Sequence, residues 1–293
     1  MKKLVLALAC ASVLFNACKK DDTAPSTSTV VTIGAVPESF TKKVLIEEFT
    51  GAWCGYCVDG AYKMETIINN NPGRAIGVAI HDGDGMSTGI FNYLDGIFNS
   101  TGYPQGMVSR VPYQGATCLS RGSWSPAANI ILNKSGYCGL ALKVFSSGDS
   151  VKAEVHCGFD TTLTSGSYSL VVYAVENNVV GTGSQYNQVN YYSSANGGTD
   201  PNHPYYNQPA TIIGYKHMNV LRKTLTANSG ESIPVSSIVK GNEVIKNYAF
   251  KPTNINTSQL RIVAFIQKNG TSSTTYEVLN VQECAFGSTK NWD

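Results

Sequence analysis

Residues Glu47–Gly60 read EEFTGAWCGYCVDG, and the reading given to Cys54-Gly55-Tyr56-Cys57 decides the fold around it. A lone C-x-x-C fits a working redox pair, a disulfide that only staples a fold, or half of a metal site, so the flanking sequence has to choose. Upstream, Val44-Leu45-Ile46-Glu47-Glu48-Phe49 is an apolar run with one acidic pair, the pattern of a buried strand. After the loop Thr50-Gly51-Ala52-Trp53 the cysteines open a helix predicted to reach about Asn70, where Asn71-Pro72-Gly73 stops it. Ala75–His81 (AIGVAIH) is a second buried strand. Strand, helix and strand make a βαβ unit, right-handed in nearly all cases.

Further on, Gly89–Asn99 is a short amphipathic helix. Gly102-Tyr103-Pro104-Gln105-Gly106 leads into a strand at Met107–Arg110, and Trp124–Lys134 closes the region as another helix. This order of elements, with Trp-Cys-Gly-x-Cys at a helix start and an aromatic-Pro before a later strand, resembles the thioredoxin fold over roughly Lys43 to Lys134. Physical chemistry gives each part a role. A cysteine at a helix N-terminus faces unpaired N–H groups and the positive end of the dipole, which favours its thiolate. Cys54 holds that position. Cys57, one turn on, lies on the same face and can resolve a mixed disulfide formed by Cys54.

The resemblance implies more. Gly55-Tyr56 resembles the dipeptide of periplasmic disulfide isomerases, which hints at an oxidising or isomerising poise. Glu48, six residues before Cys54, matches the buried carboxylate of thioredoxins that helps deprotonate the second cysteine; Glu47 points to the opposite face of the strand. The structural alternative for Glu48 is an ion pair with a lysine. Pro104 matches the cis-proline that lies opposite the cysteines, and Trp53, Tyr56 and Tyr103 would border the substrate groove. No second C-x-x-C or spaced His pair completes a zinc site, so no metal and no cofactor are expected.

The rest of the chain sets the compartment. It has 293 residues, 42% hydrophobic and 14% charged, and a formal charge of +2 without a long basic run, which leaves no electrostatic footprint for nucleic acid. Residues 1–17 read as a signal sequence: Lys2 and Lys3, then an apolar run from Leu4 to Phe15 that is short of the ~20 residues a membrane-spanning helix needs. Ala17-Cys18 resembles the cleavage site of bacterial lipoproteins, with Cys18 lipidated, so the membrane contact expected is a lipid anchor. Lys19-Lys20-Asp21-Asp22 resembles the export tags of surface-displayed lipoproteins, with a solvated linker as the plain alternative. Residues 18–42 then read as a tether rich in Ser, Thr, Asp and Pro. Beyond Cys10 and Cys18 six cysteines remain in an oxidising compartment. Cys118, Cys138, Cys157 and Cys284 allow three connectivities; in one of them Cys138 and Cys157, which flank the turn Ser146–Asp149, pair across a hairpin and Cys118 is left with Cys284.

From residue 136 short β-forming runs alternate with Gly, Ser and Asn: Leu140–Phe145, Val151–Cys157, Ser167–Val175, Ile212–Leu221, Tyr248–Phe250 and Leu260–Gln267. The expected architecture is therefore an α/β thioredoxin-like domain (43–135) followed by an all-β, immunoglobulin-like sandwich domain (136–293). Tyr215-Lys216-His217-Met218-Asn219-Val220-Leu221-Arg222, with Val263-Ala264-Phe265-Ile266 and Glu277-Val278-Leu279-Asn280, resembles the twenty-eight-kilodalton outer-membrane lipoprotein family of Gram-negative bacteria. That resemblance implies an outer-membrane address, periplasmic or surface-exposed.

Two functions are compatible with these residues. One is thiol–disulfide exchange on exported proteins through Cys54, Cys57 and Glu48. The other is a surface binding or adhesion protein that uses sandwich loops, with Cys54–Cys57 structural. The long segment Tyr186–Pro209, with Tyr191-Tyr192, Asp200, Asn202 and Tyr205-Tyr206, is the loop that could hold a sugar, a peptide or a calcium ion, or simply cover the core. His217 fits a hydrogen-bonded core histidine better than a ligand. No Ser-His-Asp arrangement, phosphate loop or H-E-x-x-H motif is present.

Overall fold

The computed structural model describes residues 32–293; the signal sequence, Cys18 and the tether as far as residue 31 lie outside the described residues. At the front come β1 (Val44–Thr50), α1 (Cys57–Asn70), β2 (Ala75–His81), α2 (Ile90–Phe98), β3 (Gln105–Val108), β4 (Leu119–Ser120) and α3 (Trp124–Leu132). Then follow β5 (Cys138–Ser147), β6 (Ser150–Phe159), β7 (Tyr168–Glu176), β8 (Gln188–Val189), β9 (Thr211–Ile212) and β10 (Val220–Thr224). The last strands are β11 (Glu231–Ile233), β12 (Glu243–Phe250), β13 (Leu260–Lys268), β14 (Glu277–Ala285) and β15 (Thr289–Lys290). The architecture is mixed α/β and mostly strand.

Every residue of β1 is buried, and alternation sends its side chains to two different cores. Val44 and Ile46 pack with Met64 and Ile67 of α1 and Trp124 and Ala128 of α3, while Leu45 and Phe49 meet Ile90, Phe91 and Leu94 of α2. α1 ends where its sequence says it must: Asn71 Nδ2 donates to the Ile67 carbonyl at 2.9 Å, and Gly73 takes φ 71°, a conformation glycine adopts freely.

β1 runs parallel to β2 and antiparallel to β3. Here the structure departs from the expected division near Ser135. β2 is also paired, in parallel, with β10, and the order β14-β13-β7-β10-β2-β1-β3-β4, with β11 beside β7, makes one nine-stranded sheet from both halves of the chain. The reason is physical: β1 and β3 leave the far edge of β2 open, and an open apolar edge has to be covered. The described residues 32–293 accordingly fall in one compact unit.

β12, β6, β5 and β15 form a second sheet. Leu140, Leu142, Val144 and Val155 of that sheet pack on Leu170, Val172, Ile262 and Ala264 of the first. The run Ile212–Leu221 is not one strand; Gly214 at φ 70° and Asn219 at φ 59° turn the chain between β9 and β10. The end of the tether is fixed as well, because Phe40 fills the space left by Gly139 and Gly158, and Lys42 Nζ donates to the Val278 and Leu279 carbonyls.

The disulfides Cys138–Cys157 and Cys118–Cys284 are not formed; all four are free thiols. In the β5–β6 hairpin Cys138 stands opposite Phe159 and Cys157 opposite Leu140, a register two residues out. Cys284 belongs to the core between the sheets, whereas Cys118 packs against the core under α2. Burial pushes the Cys138 thiol up to about 12 and the Cys284 thiol up to about 11, which keeps them protonated and unreactive.

Candidate functional site

Cys54 lies in the loop between β1 and α1 and Cys57 is the first residue of α1, so the helix opens three residues later than the expected start at Cys54; the two cysteines are joined as a disulfide. The Cys57 N–H donates to the Cys54 carbonyl at 3.1 Å and the Cys54 N–H to the Gly51 carbonyl at 3.0 Å, so the pair sits on a tight turn that leads into the helix. Cys54 is 5% and Cys57 2% exposed, with the half-exposed rings of Trp53 and Tyr56 beside them. Trp53 Nε1 donates to the Asp82 carbonyl at 2.8 Å and Tyr103 Oη to Asp82 Oδ2 at 2.9 Å; the two rings meet edge to face at 5.0 Å. The Tyr103–Pro104 bond is cis.

Beneath the helix lies Glu48, fully buried, and neither carboxylate oxygen has a hydrogen-bond partner. Gly60 makes the room: a Cβ there would overlap Glu48 Oε1 and come within 2.8 Å of Pro104 Cβ. Burial holds the Glu48 carboxyl well above the usual carboxylate range, opposed only in part by the charge of Arg121. Glu48 and Cys57 both line a cavity of about 20 Å³, together with Thr50, His81, Gln188, Tyr215 and His217. A space of that size holds one water. The alternative expected from sequence, a lysine partner for Glu48, is not formed.

Two polar features around the site, the Asp59 cluster and the His81–Asp84 pair, were not foreseen from the sequence, whereas His217 is the hydrogen-bonded core histidine expected. Asp59, in the first turn of α1, accepts from Arg121 Nε and, at 3.3 Å, from Tyr192 Oη, and lies 3.3 Å from His203 Nε2. Burial pushes this carboxyl up, but the hydrogen bonds from Arg121 and His203 outweigh it and hold it below its ordinary value. His81 Nδ1 lies 2.7 Å from Asp84 Oδ2. His217, edge-on to His81 at 5.2 Å, has Nε2 2.8 Å from the Tyr186 carbonyl; burial, then the charge of His81, pushes it down to about 4. A first-turn acid in VDG and Lys63 one turn on, whose Nζ lies 3.8 Å from Asp59 Oδ1, were the available signals for Asp59; Arg121, Tyr192 and His203 are more than sixty residues away, beyond any local pattern.

The long loop lies against the site rather than projecting from a sandwich end. Val189 N donates to the Ala52 carbonyl at 2.8 Å, Gln188 Nε2 to the Cys54 carbonyl at 2.9 Å, and Tyr191 N to the Gly55 carbonyl at 2.9 Å. Asp200 Oδ1 accepts from Asn202 N at 3.0 Å, so these two residues serve the turn they belong to. Among the described residues no group of three or more His, Cys, Asp or Glu side chains is placed to hold a metal, and no helix is long and apolar enough to cross a membrane.

With this geometry in view, comparison places the chain. The family described as outer membrane protein Omp28 matches residues 92–290, well over half of the sequence, so the chain belongs to that family and is an outer-membrane protein. Among solved structures it is similar to HBP35 of Porphyromonas gingivalis, with TM-score 0.67 and 21% identity over 86% of this chain and 78% of that one. A domain of the outer membrane lipoprotein Omp28 from Porphyromonas gingivalis matches at TM-score 0.30 and 15% identity, over 54% of this chain and 92% of that one. A protein of Agrobacterium tumefaciens matches at TM-score 0.48 and 9% identity, over 85% and 96%. Of these three, the likeness to HBP35 alone speaks for the fold. No curated protein sequence matches the chain.

Proposed function

We propose that the protein is a thiol–disulfide exchange protein of the outer membrane, lipid-anchored through Cys18, whose β1–α3 region is thioredoxin-like and whose β5–β6–β12 sheet closes a sandwich, and whose substrates are exported proteins. The observation that carries this reading is Glu48: fully buried, unpartnered, and lining one cavity with Cys57. A buried carboxyl without a hydrogen-bond partner, beside a cysteine pair, stands where a proton-transfer group is needed. In the reduced form the Cys54 thiolate attacks a substrate disulfide, forming a mixed disulfide and expelling one substrate thiolate. Cys57 gives its proton to Glu48 and attacks Cys54 Sγ; the Cys54–Cys57 bond forms and the second substrate thiolate leaves. The substrate is reduced by two electrons and the pair oxidised, and the reverse order oxidises a substrate dithiol.

A second reading is favoured by the low exposure of both cysteines. In it the disulfide is a staple and the protein is a surface binding or adhesion module. The reduction potential of Cys54–Cys57, measured together with the Cys54 thiolate pKa, separates the two. A potential of roughly −120 to −270 mV with a pKa well under ~8.5 supports exchange. A disulfide that resists reduction below about −300 mV is a staple, and Cys54→Ser should then leave the protein's binding properties intact.

A further inference from the structure

The exchange reading leaves open what reaches Cys54, and the segment Gln188–Tyr192 bears on that question. It takes up the carbonyls of Ala52, Cys54 and Gly55, the backbone acceptors next to the nucleophile, with three hydrogen bonds of 2.8–2.9 Å. The Tyr191 ring lies flat against Gly55, where any Cβ would overlap it, and meets Tyr56 edge to face at 5.2 Å. Both ends are tied down. Tyr186 Oη donates to the Gly85 carbonyl at 3.1 Å; at the other end Arg121 donates to Tyr192 Oη at 2.6 Å, and the Tyr192 ring stacks on His203 at 3.7 Å. Between these ties, nearly half of Tyr191 is in solvent.

We propose that Gln188–Tyr192 is a specificity gate: with it in place, small thiols reach the Cys54–Cys57 disulfide at the 5% of Cys54 that stays exposed, and a protein cysteine reaches it only after the segment lifts. This rests on the exchange reading. A protein substrate brings backbone on both sides of its cysteine and needs the surface that the segment covers; a small dithiol needs only the sulfur. For a small dithiol the step is balanced within the pair. One reductant thiolate attacks Cys54 Sγ, the Cys54–Cys57 bond breaks, and Cys57 leaves as a thiolate and takes a proton. The second reductant thiolate then closes the reductant's own disulfide and releases Cys54; the dithiol is oxidised and the protein disulfide reduced.

The test compares two reductants on the full folded protein: dithiothreitol as the small dithiol and a reduced thioredoxin as the protein dithiol. The wild type should be reduced readily by the first and slowly by the second. Tyr191→Ala, a half-exposed position whose loss leaves the core alone, should speed the protein dithiol on the order of tenfold, as expected when a rarely open state becomes common. The rate with dithiothreitol should change less than about twofold, because that path does not depend on the open population. Tyr192→Phe, which removes the hydroxyl tie and keeps the ring, should act in the same direction. If the protein dithiol reduces wild type and both variants at one rate, the gate is refuted while exchange stands. If neither reductant opens the disulfide in any of the three proteins, the exchange reading falls, and the gate with it.

Discussion

β1 carries two adjacent buried carboxylates that the sheet turns to opposite faces, and they have opposite fates. Glu47 is held by Arg110, with Nε at 2.7 Å from Oε2 and Nη2 at 2.6 Å from Oε1, and the guanidinium also donates to Gln267 and, at 3.3 Å, to Tyr173 Oη. Glu48, equally buried, has no hydrogen-bond partner. One carboxylate is built into the structure and the other is left unanswered beside a disulfide. The difference teaches that burial alone does not sort the two acids; the partner does, and Glu48, the one without a hydrogen-bond partner, is the one the exchange reading uses.

The largest effect should come from breaking the satisfied side. Arg110 is 1% exposed, and its backbone, with that of Ser109, takes positive φ (55° and 48°) that these residues rarely adopt. Arg110→Ala strips Glu47 of its counter-charge, and the expected loss is about 3–5 kcal/mol of unfolding free energy. Denaturant titration reads it directly. Replacing both partners, Glu47→Leu with Arg110→Met, should recover part of the loss, since the uncompensated charge is gone while Gln267 Oε1 and Tyr173 Oη lose their Arg110 donor. If the double variant is as unstable as the single one, the pair is not the reason Glu47 is tolerated.

Glu48 should respond with the opposite sign. Glu48→Leu removes a buried group that makes no hydrogen bond, so stability at pH 7 should rise by about 1–3 kcal/mol, the usual penalty of an unsatisfied buried polar atom. The pH dependence follows from the raised carboxyl. The folded protein holds its proton to higher pH than the unfolded chain does, so wild-type stability falls as pH rises above the unfolded value of about 4.3. The advantage of Glu48→Leu should therefore fade below about pH 4. On the exchange reading proposed above, exchange through Cys57 should slow in the same variant. A variant that is more stable and fully active would deny Glu48 its role.

The contrast between these acids was half legible in the sequence. Strand periodicity separates Glu47 from Glu48 with no knowledge of the rest of the chain, and the resemblance to thioredoxins is what singles out Glu48 as the acid/base candidate. What periodicity cannot supply is the partner. Arg110 comes from a loop end after β3, Gln267 from β13, and Tyr173 from β7, brought together only because β7 and β13 join the sheet of β1. The same cause hid the other surprises. Nothing local in Ala75–His81 says that its open edge will be taken by Val220, so the chain was divided at Ser135 where the sheet is continuous. The hairpin Cys138–Phe159 was visible in its turn residues, but a two-residue error in register was enough to suggest a disulfide that the core does not contain. The loop Tyr186–Pro209 announced itself by its aromatics and not by what it covers.

Asp59 lies between the two extremes and should give the smallest effect. It is buried like Glu48 but partnered like Glu47, by Arg121, Tyr192 and His203, and Arg121 is itself a quarter exposed, so solvent screens the pair. Asp59→Asn should lower stability at pH 7 by about 1 kcal/mol, below what a dry charge-assisted hydrogen bond is worth. The pH profile runs opposite to that of Glu48, because this carboxyl is held below its ordinary value. Its contribution is present above the unfolded value of about 3.9 and is lost as pH falls through the lower folded value. Wild type and Asp59→Asn should therefore converge in acid and part at neutral pH, as Glu48→Leu and wild type do, but with the wild type on top. If Asp59→Asn instead gained stability as Glu48→Leu is expected to, partner count would not be what sorts the buried acids of this site, and the reading of Glu48 as the unanswered one would lose its basis.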